Sequence, residues 1–232
     1  MEKLEHPTLL HYILPFVPDH IAMSWFVMLV LIGVGYLVSK NLKFIPSRLQ
    51  ASLELLVQGL ENLLEEVVGH KGKQYLPLVG TLALYIFVSN LLGLIPGFKS
   101  PTSSLNTTAS CALVVFIYYN FQGIREHGFV KYFRHFMGPG FGDKNIPWLA
   151  PLMLPVELIS HIARPLSLSI RLFGNIMGED LVLAVLAVYI LPILVPLPMM
   201  FMAVFTSLIQ TFIFVLLTSL YLAGAVAEEE GH

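Results

Sequence analysis

The sequence predicts an all-α polytopic membrane protein with five membrane-crossing helices and one amphipathic surface helix. Three observations predict it. Hydrophobic residues make up 56% of the 232 residues and charged residues only 12%, against ~45–50% and ~25% in soluble domains. With a mean hydropathy of +0.76, one core could not hide that much apolar surface, so the solvent is lipid. Second, four runs carry no charge: Ile21 to Val38, Tyr75 to Phe98, Pro101 to Ile124 and Leu181 to Ala227. Each approaches or exceeds the ~20 residues of a spanning helix. Third, lysine and arginine gather on one side when these runs are threaded through a bilayer. Only helices satisfy their own backbone in lipid at this composition. A disordered chain, a disulfide-framework domain and an ordinary soluble enzyme are excluded. The net charge of −2, without a polybasic run, argues against nucleic acid as a partner. The one cysteine, Cys111, has no internal partner for a disulfide.

The elements follow in order within one membrane domain, 1–232, without internal repeats. Residues 1–20 form an outer N-terminal segment. Glu2, Glu5 and Asp19, with three prolines, do not suit a signal peptide. The first span is 21–39. At 47–68 apolar residues recur at Leu49, Leu53, Leu56, Leu60, Leu63 and Val67, among Glu54, Gln58, Glu61, Glu65 and Glu66. That stripe reads as a helix lying on the membrane surface. Ser47 with Gln50 reads as a capping box at its start, and Gly69 as its end. Spans at 75–97 and 103–124 follow, then an inner loop at 125–146. A long membrane helix covers 147–190, tilted and kinked near Pro151, Pro155 and Pro165. Three prolines in Leu191 to Pro198 place a turn before the final membrane helix, 198–227. Residues 228–232 form an inner tail.

An outer N-terminus puts Lys40, Lys43, Arg48, Lys71, Lys73, Arg125, Lys131, Arg134 and Lys144 inside. Only Lys3 and Lys99 are then outside. Nine against two is a clear positive-inside bias, and five crossings leave the tail inside.

A charge in the bilayer costs at least ~2.5–3.5 kcal/mol, so its default reading is functional. At roughly 100° per residue, Glu157, Ser160, Arg164, Ser167, Asn175 and Gly178 fall within about 40° of Arg171. Glu179 lies to the side and Asp180 opposite. The final helix carries Thr206, Gln210 and Tyr221 on one face, and the stripe around Arg171 is the obvious partner for Gln210. Arginine does not deprotonate, so it cannot relay protons, but it can hold a passing carboxylate ionised. Arg171 between Glu157 and Asp180 looks like a proton path split by a fixed positive charge. The competing reading is a buried ion pair that only ties helices together. His161, one turn from Glu157, could relay protons or simply pack. Arg164 suits the inner, snorkelling end of the stripe, and Asn90 a polar path or helix contacts. No phosphate loop, metal motif or cofactor signature is present.

Pro165-Leu-Ser-Leu-Ser-Ile-Arg-Leu-Phe-Gly-Asn175 closely resembles the arginine signature of subunit a of F-type ATP synthases. Pro155-Val-Glu157, Leu208-Ile-Gln210 with Phe212-Ile-Phe214, Thr218-Ser-Leu-Tyr221, Asn90-Leu-Leu-Gly-Leu-Ile-Pro96 and the acidic tail resemble it too. The resemblance covers about residues 20–230. It implies that the last two helices form a long tilted hairpin facing a rotor ring. It matches Arg171 to the essential arginine facing that ring, and Gln210 to the glutamine near it. It matches Asn175 and Ser167 to flanking polar positions. Glu157 falls in the inner half-channel, with His161 its neighbour. Asp180 or Glu179 falls in the outer half-channel. Ala203 stands where some members have a histidine. The resemblance further implies a non-catalytic, proton-translocating subunit without cofactor. Its partners are the c-subunit ring, peripheral-stalk b subunits and lipid. The bacterial plasma membrane is implied ahead of the thylakoid. An ion-coupled secondary transporter and a purely structural membrane subunit are the alternatives.

Overall fold

The computed structural model describes residues 16–40, 48–95, 98–129, 150–189 and 196–226. The outer segment 1–15, Ser47 of the capping box, most of the inner loop, the turn at 190–195 and the tail from 227 lie outside the described residues. Among the described residues there are six α-helices: α1 (Asp19–Lys40), α2 (Arg48–Val68), α3 (Leu76–Leu92), α4 (Leu105–His127), α5 (Ala150–Tyr189) and α6 (Pro196–Val226). Short 3₁₀ turns at Gly72–Tyr75 and Pro101–Ser103 lead into α3 and α4.

Three stretches are long and apolar enough to cross a bilayer: Asp19–Lys40, Gly72–Leu92 and Pro198–Val226. α4 and α5, at 23 and 40 residues, have the length but carry polar or charged groups along it. At ~1.5 Å per residue α5 is about 60 Å long, twice the hydrocarbon core, so it fits a membrane only when tilted.

Helix ends depart from the uncharged runs where backbone chemistry intervenes. The run 75–97 is longer than its helix, because α3 stops at Leu92. An alanine at Gly93 would set its Cβ 2.9 Å from the Ser100 Cβ, so the returning loop passes too close for a side chain. α4 runs beyond 124, through Arg125 to His127, until Gly128 turns out of the helix at φ 80°. Gly69 ends α2 at φ 88°, its N–H bonded to the Glu65 carbonyl at 2.9 Å. α5 continues straight through the positions of Pro155 and Pro165 as helix. α6 starts at Pro196, two residues before the expected start; its first turn can hold prolines because those N–H groups have no helical acceptor.

α6 is the central element, packing on α2, α3, α4 and α5, while α1 packs chiefly on α3 and the Pro101–Ser103 turn. The core joins Val79, Ala83 and Ile86 of α3, Val115 and Tyr119 of α4, Leu168, Leu172 and Ile176 of α5, and Phe214 and Leu222 of α6. α2 differs from its expected stripe. Leu64 is its fully buried residue, with Leu60, Leu63 and Val68 beside it, while Leu55, Leu56 and Val57 are exposed. The apolar residues that join the core thus lie in its second half. Gln50, which is buried, donates to Glu54 at 2.8 Å.

Two polar fastenings mark the ends of the bundle. At one end Lys71 pairs with Glu126 at the foot of α4, and that hydrogen bond and charge hold the Glu126 carboxyl below its usual range. Beside them Lys73 reaches Glu61 and Glu65 at 2.9 and 3.2 Å, which hold its ammonium above the usual range. At the other end Thr102 donates to Asn90 at 2.6 Å and Ser100 to the Ser89 carbonyl at 2.9 Å, all buried. Phe26 of α1 lies there against Phe98, ring centroids 5.9 Å apart.

Candidate functional site

α5 shows two faces. Leu168, Leu172 and Ile176, four residues apart, point into the core and are at most 2% exposed. The polar stripe turns elsewhere. Ser167, Arg171, Asn175 and Gly178 are exposed, and Glu157, Ser160 and Arg164 half-buried. A Cβ added at Gly174 or Gly178 would meet nothing within 4 Å, so among the described residues nothing packs directly on these small residues. Among the described residues no carboxylate pairs with Arg171. Its chain neighbour Ile170 is exposed as well.

α6 supplies the partner expected from its sequence. Asn175 donates from Nδ2 to the Gln210 Oε1 at 2.6 Å. Gln210 is 1% exposed, and its Nε2 meets no partner among the described residues. The buried polar face of α6 is Ser207, Gln210 and Thr218, with Thr206 and Tyr221 only half-buried. These helices separate above that bond to leave a cavity of about 300 Å³. Asn175, Gly178, Glu179, Ala203 and Thr206 line it, with Met199 and Met202. One Glu179 carboxylate oxygen is buried and meets no hydrogen-bond partner among the described residues. Asp180 is half-buried on another side of α5, within electrostatic range of Lys99. The adjacent acids thus enter different surroundings: Glu179 the cavity between α5 and α6, Asp180 the loop before the Pro101–Ser103 turn.

The other end of the stripe forms a second cluster. Glu157 Oε1 is 3.6 Å from His161 Nε2. The opposite ring nitrogen, Nδ1, lies 3.3 Å from the Tyr119 hydroxyl of α4. The Arg164 guanidinium sits 5.4 Å above the Tyr221 ring. Tyr221 also lies against Tyr119, centroids 6.0 Å apart. Along α5, Glu157 is about 21 Å from Arg171, and Glu179 about 12 Å on the other side, at ~1.5 Å per residue. Asn90 stands apart from both clusters, 3% exposed and bonded to Thr102.

Sequence reasoning missed Tyr119 and the Ser89, Ser100 and Thr102 group. Tyr119 lies within Tyr118-Tyr119-Asn120, a polar break in an apolar run, which was a legible signal. The hydroxyl group comes together only when the loop at 98–104 folds back on α3. No group of three or more potential metal ligands occurs among the described residues.

Residues 21–223 match the family model described as ATP synthase A chain. Among curated relatives, the ATP synthase subunit a of Geobacter sulfurreducens is 50% identical over 214 residues, covering 92% of this chain and 89% of that protein. ATP synthase subunit a 2 of Syntrophotalea carbinolica is 48% identical, covering 92% and 87%. Subunit a 1 of that organism is 46% identical over all 232 residues, covering 92% of its own length. With the arginine-bearing helix, its glutamine partner and a match over most of its length, this chain belongs to the ATP synthase A chain family.

Proposed function

We propose that this chain is the stator proton channel of a rotary F-type ATP synthase in a bacterial plasma membrane. It crosses five times, with the N-terminus outside and the tail in the cytoplasm. The observation that carries this reading is Arg171, exposed on α5 with no carboxylate partner among the described residues. An unpaired arginine facing lipid is costly. A carboxylate from another chain removes that cost, and the open glycines beside it leave room for a partner helix. That partner is the ring of c subunits, met by the exposed face of the α5–α6 hairpin.

The two clusters are then the ends of two separate half-channels. Protons from outside enter the cavity lined by Glu179 and Asn175, with Asp180 at its approach. There the proton neutralises the ring carboxylate, which can then face lipid cheaply. Asn175 and Gln210, bonded together, border Arg171 and hold the gap between α5 and α6. After nearly a full turn the carboxyl loses its proton toward Glu157, with Ser167 and His161 on the same route. Arg171 cannot give up its own proton, so it blocks direct passage and favours the ionised carboxylate on approach. Ala203, 1% exposed, leaves the outer cavity without a histidine, so Glu179 and water carry the proton there. A proton moving down about 150 mV releases roughly 3.5 kcal/mol, so several must pass per ATP. Peripheral-stalk b subunits meet α2 and the inner loops. Asn90, Arg164 and Tyr221 serve the ends of the two paths.

The test is ATP-driven proton pumping in inverted vesicles with Arg171→Ala, with blotting for assembly. Assembly with pumping abolished supports the reading. Assembly with undiminished pumping overturns it and favours a structural role for the charges.

A further inference from the structure

We infer that Tyr119 is a positioning residue of the inner proton path: its hydroxyl fixes His161 so that ring nitrogen Nε2 faces Glu157. The inference rests on the proton-channel reading above. The geometry is an ordered row across two helices. Tyr119 of α4 is 1% exposed and His161 8%, while the Glu157 side chain is 41% exposed. The row thus leads from a buried anchor to an open carboxylate.

A neutral imidazole has one N–H and one lone pair, and whichever group bonds one nitrogen decides what the other can do. Tyr119 lies 3.3 Å from Nδ1. With Nδ1–H donating to the tyrosine oxygen, Nε2 keeps its lone pair, 3.6 Å from Glu157 Oε1. That separation is longer than a hydrogen bond and is closed by a small rotation or one bridging water. A proton on Glu157 passes to Nε2, leaving a carboxylate and an imidazolium. The imidazolium releases it to inner water, restoring the starting tautomer.

The other groups around the row suit this role. Arg164, one turn on from His161, acts on the Tyr119 hydroxyl, and its positive charge opposes a lasting imidazolium. Tyr221 packs tilted against Tyr119 and carries Arg164 over its ring. Phe116 braces the Tyr119 ring at 5.5 Å. The Tyr119 hydroxyl is therefore the polar contact on an otherwise ring-packed anchor, and Tyr119→Phe removes it without removing the anchor.

The experiment uses the assembled complex in membrane vesicles stripped of the catalytic sector, measuring passive proton conductance against inner-side pH. Tyr119→Phe, His161→Leu and the double variant are compared at equal assembly. The expected result is an about tenfold loss of conductance in each single variant. The double variant is no worse than His161→Leu alone, because Tyr119 acts through the histidine. The wild-type dependence of conductance on inner-side pH is displaced in Tyr119→Phe and lost in His161→Leu. Wild-type conductance and pH profile in Tyr119→Phe would overturn the inference, as would additive losses in the double variant. Arg171→Ala and Tyr119→Phe in vesicles that keep the catalytic sector separate the two readings. If Arg171→Ala abolishes ATP-driven pumping while Tyr119→Phe changes nothing, the channel assignment stands and only the role of Tyr119 falls.

Discussion

Asn175 and Gln210 share one hydrogen bond but not one environment, and that asymmetry makes a sharp prediction. Gln210 is 1% exposed and already has an unpartnered Nε2; Asn175 is exposed at the rim of the α5–α6 cavity. Asn175→Ala removes the donor at 2.6 Å and leaves the whole Gln210 carboxamide buried without a partner. The lost bond accounts for about 0.6–1.7 kcal/mol in a membrane protein, and an unsatisfied buried polar group for about 1–3 kcal/mol. A total near 2 kcal/mol is expected. Gln210→Leu removes both buried polar atoms and keeps the volume, while Asn175 can turn to water in the cavity. Its expected cost is below about 0.5 kcal/mol. The assay heats purified assembled complex and follows loss of the folded chain, for both single variants and the double. The double variant should resemble Gln210→Leu. A Gln210→Leu variant less stable than Asn175→Ala would refute the reasoning, as would an Asn175→Ala variant of wild-type stability. Pumping should show the reverse order, with Gln210→Leu the more damaged, if Gln210 serves the proton path as proposed.

Other perturbations test the ends of the bundle. Gly93→Ala places a methyl 2.9 Å from the Ser100 Cβ, and Ser100 is held by its bond to the Ser89 carbonyl; overpacking of about 1–3 kcal/mol should lower the melting temperature. Thr102→Val deletes the bond to Asn90 Oδ1 and leaves that buried carboxamide unpaired; a loss of about 1–3 kcal/mol is expected in the same melt, and a wild-type melt would contradict it. Lys71 holds the Glu126 carboxyl below its usual value of 4.5. A lowered folded pKa gives stability that is present above the unfolded value and lost as pH falls through the folded one. The difference in melting temperature between wild type and Glu126→Gln should therefore vanish in acid and stay constant, though small for so exposed a pair, at neutral pH.

Much of the architecture was legible because lipid allows so few solutions. Backbone groups with no water to bind must bond within a helix, so uncharged runs and proline clusters marked where helices could lie. The stripe at Glu157, Arg164, Arg171 and Asn175 was readable from helical period alone. The resemblance in the same segment pointed to the family that the comparison then showed. Boundaries were less legible. Charge marks where a helix leaves lipid, whereas backbone turns mark where it stops. α4 therefore ran past Ile124 to Gly128, and α3 fell short of Pro96 at Gly93. The α2 stripe also misled, since periodicity names a face but not which part of it meets a neighbour; Leu64 joined the core while Leu55, Leu56 and Val57 stayed exposed.

By itself the sequence determined the helical class, the order of elements, the family and the identity of the charge that does not belong in lipid. These depend on residue type and on spacing along one helix, which are local. Only the tertiary structure decided that Arg171 faces away from its own chain while Leu172 faces in. It also sent Glu179 and Asp180 into different surroundings, and brought Tyr119 of α4 to His161 of α5. Those facts depend on how far each helix rotates and slides against the next. That is set by the summed fit of many side chains across the bundle, and no single segment encodes it.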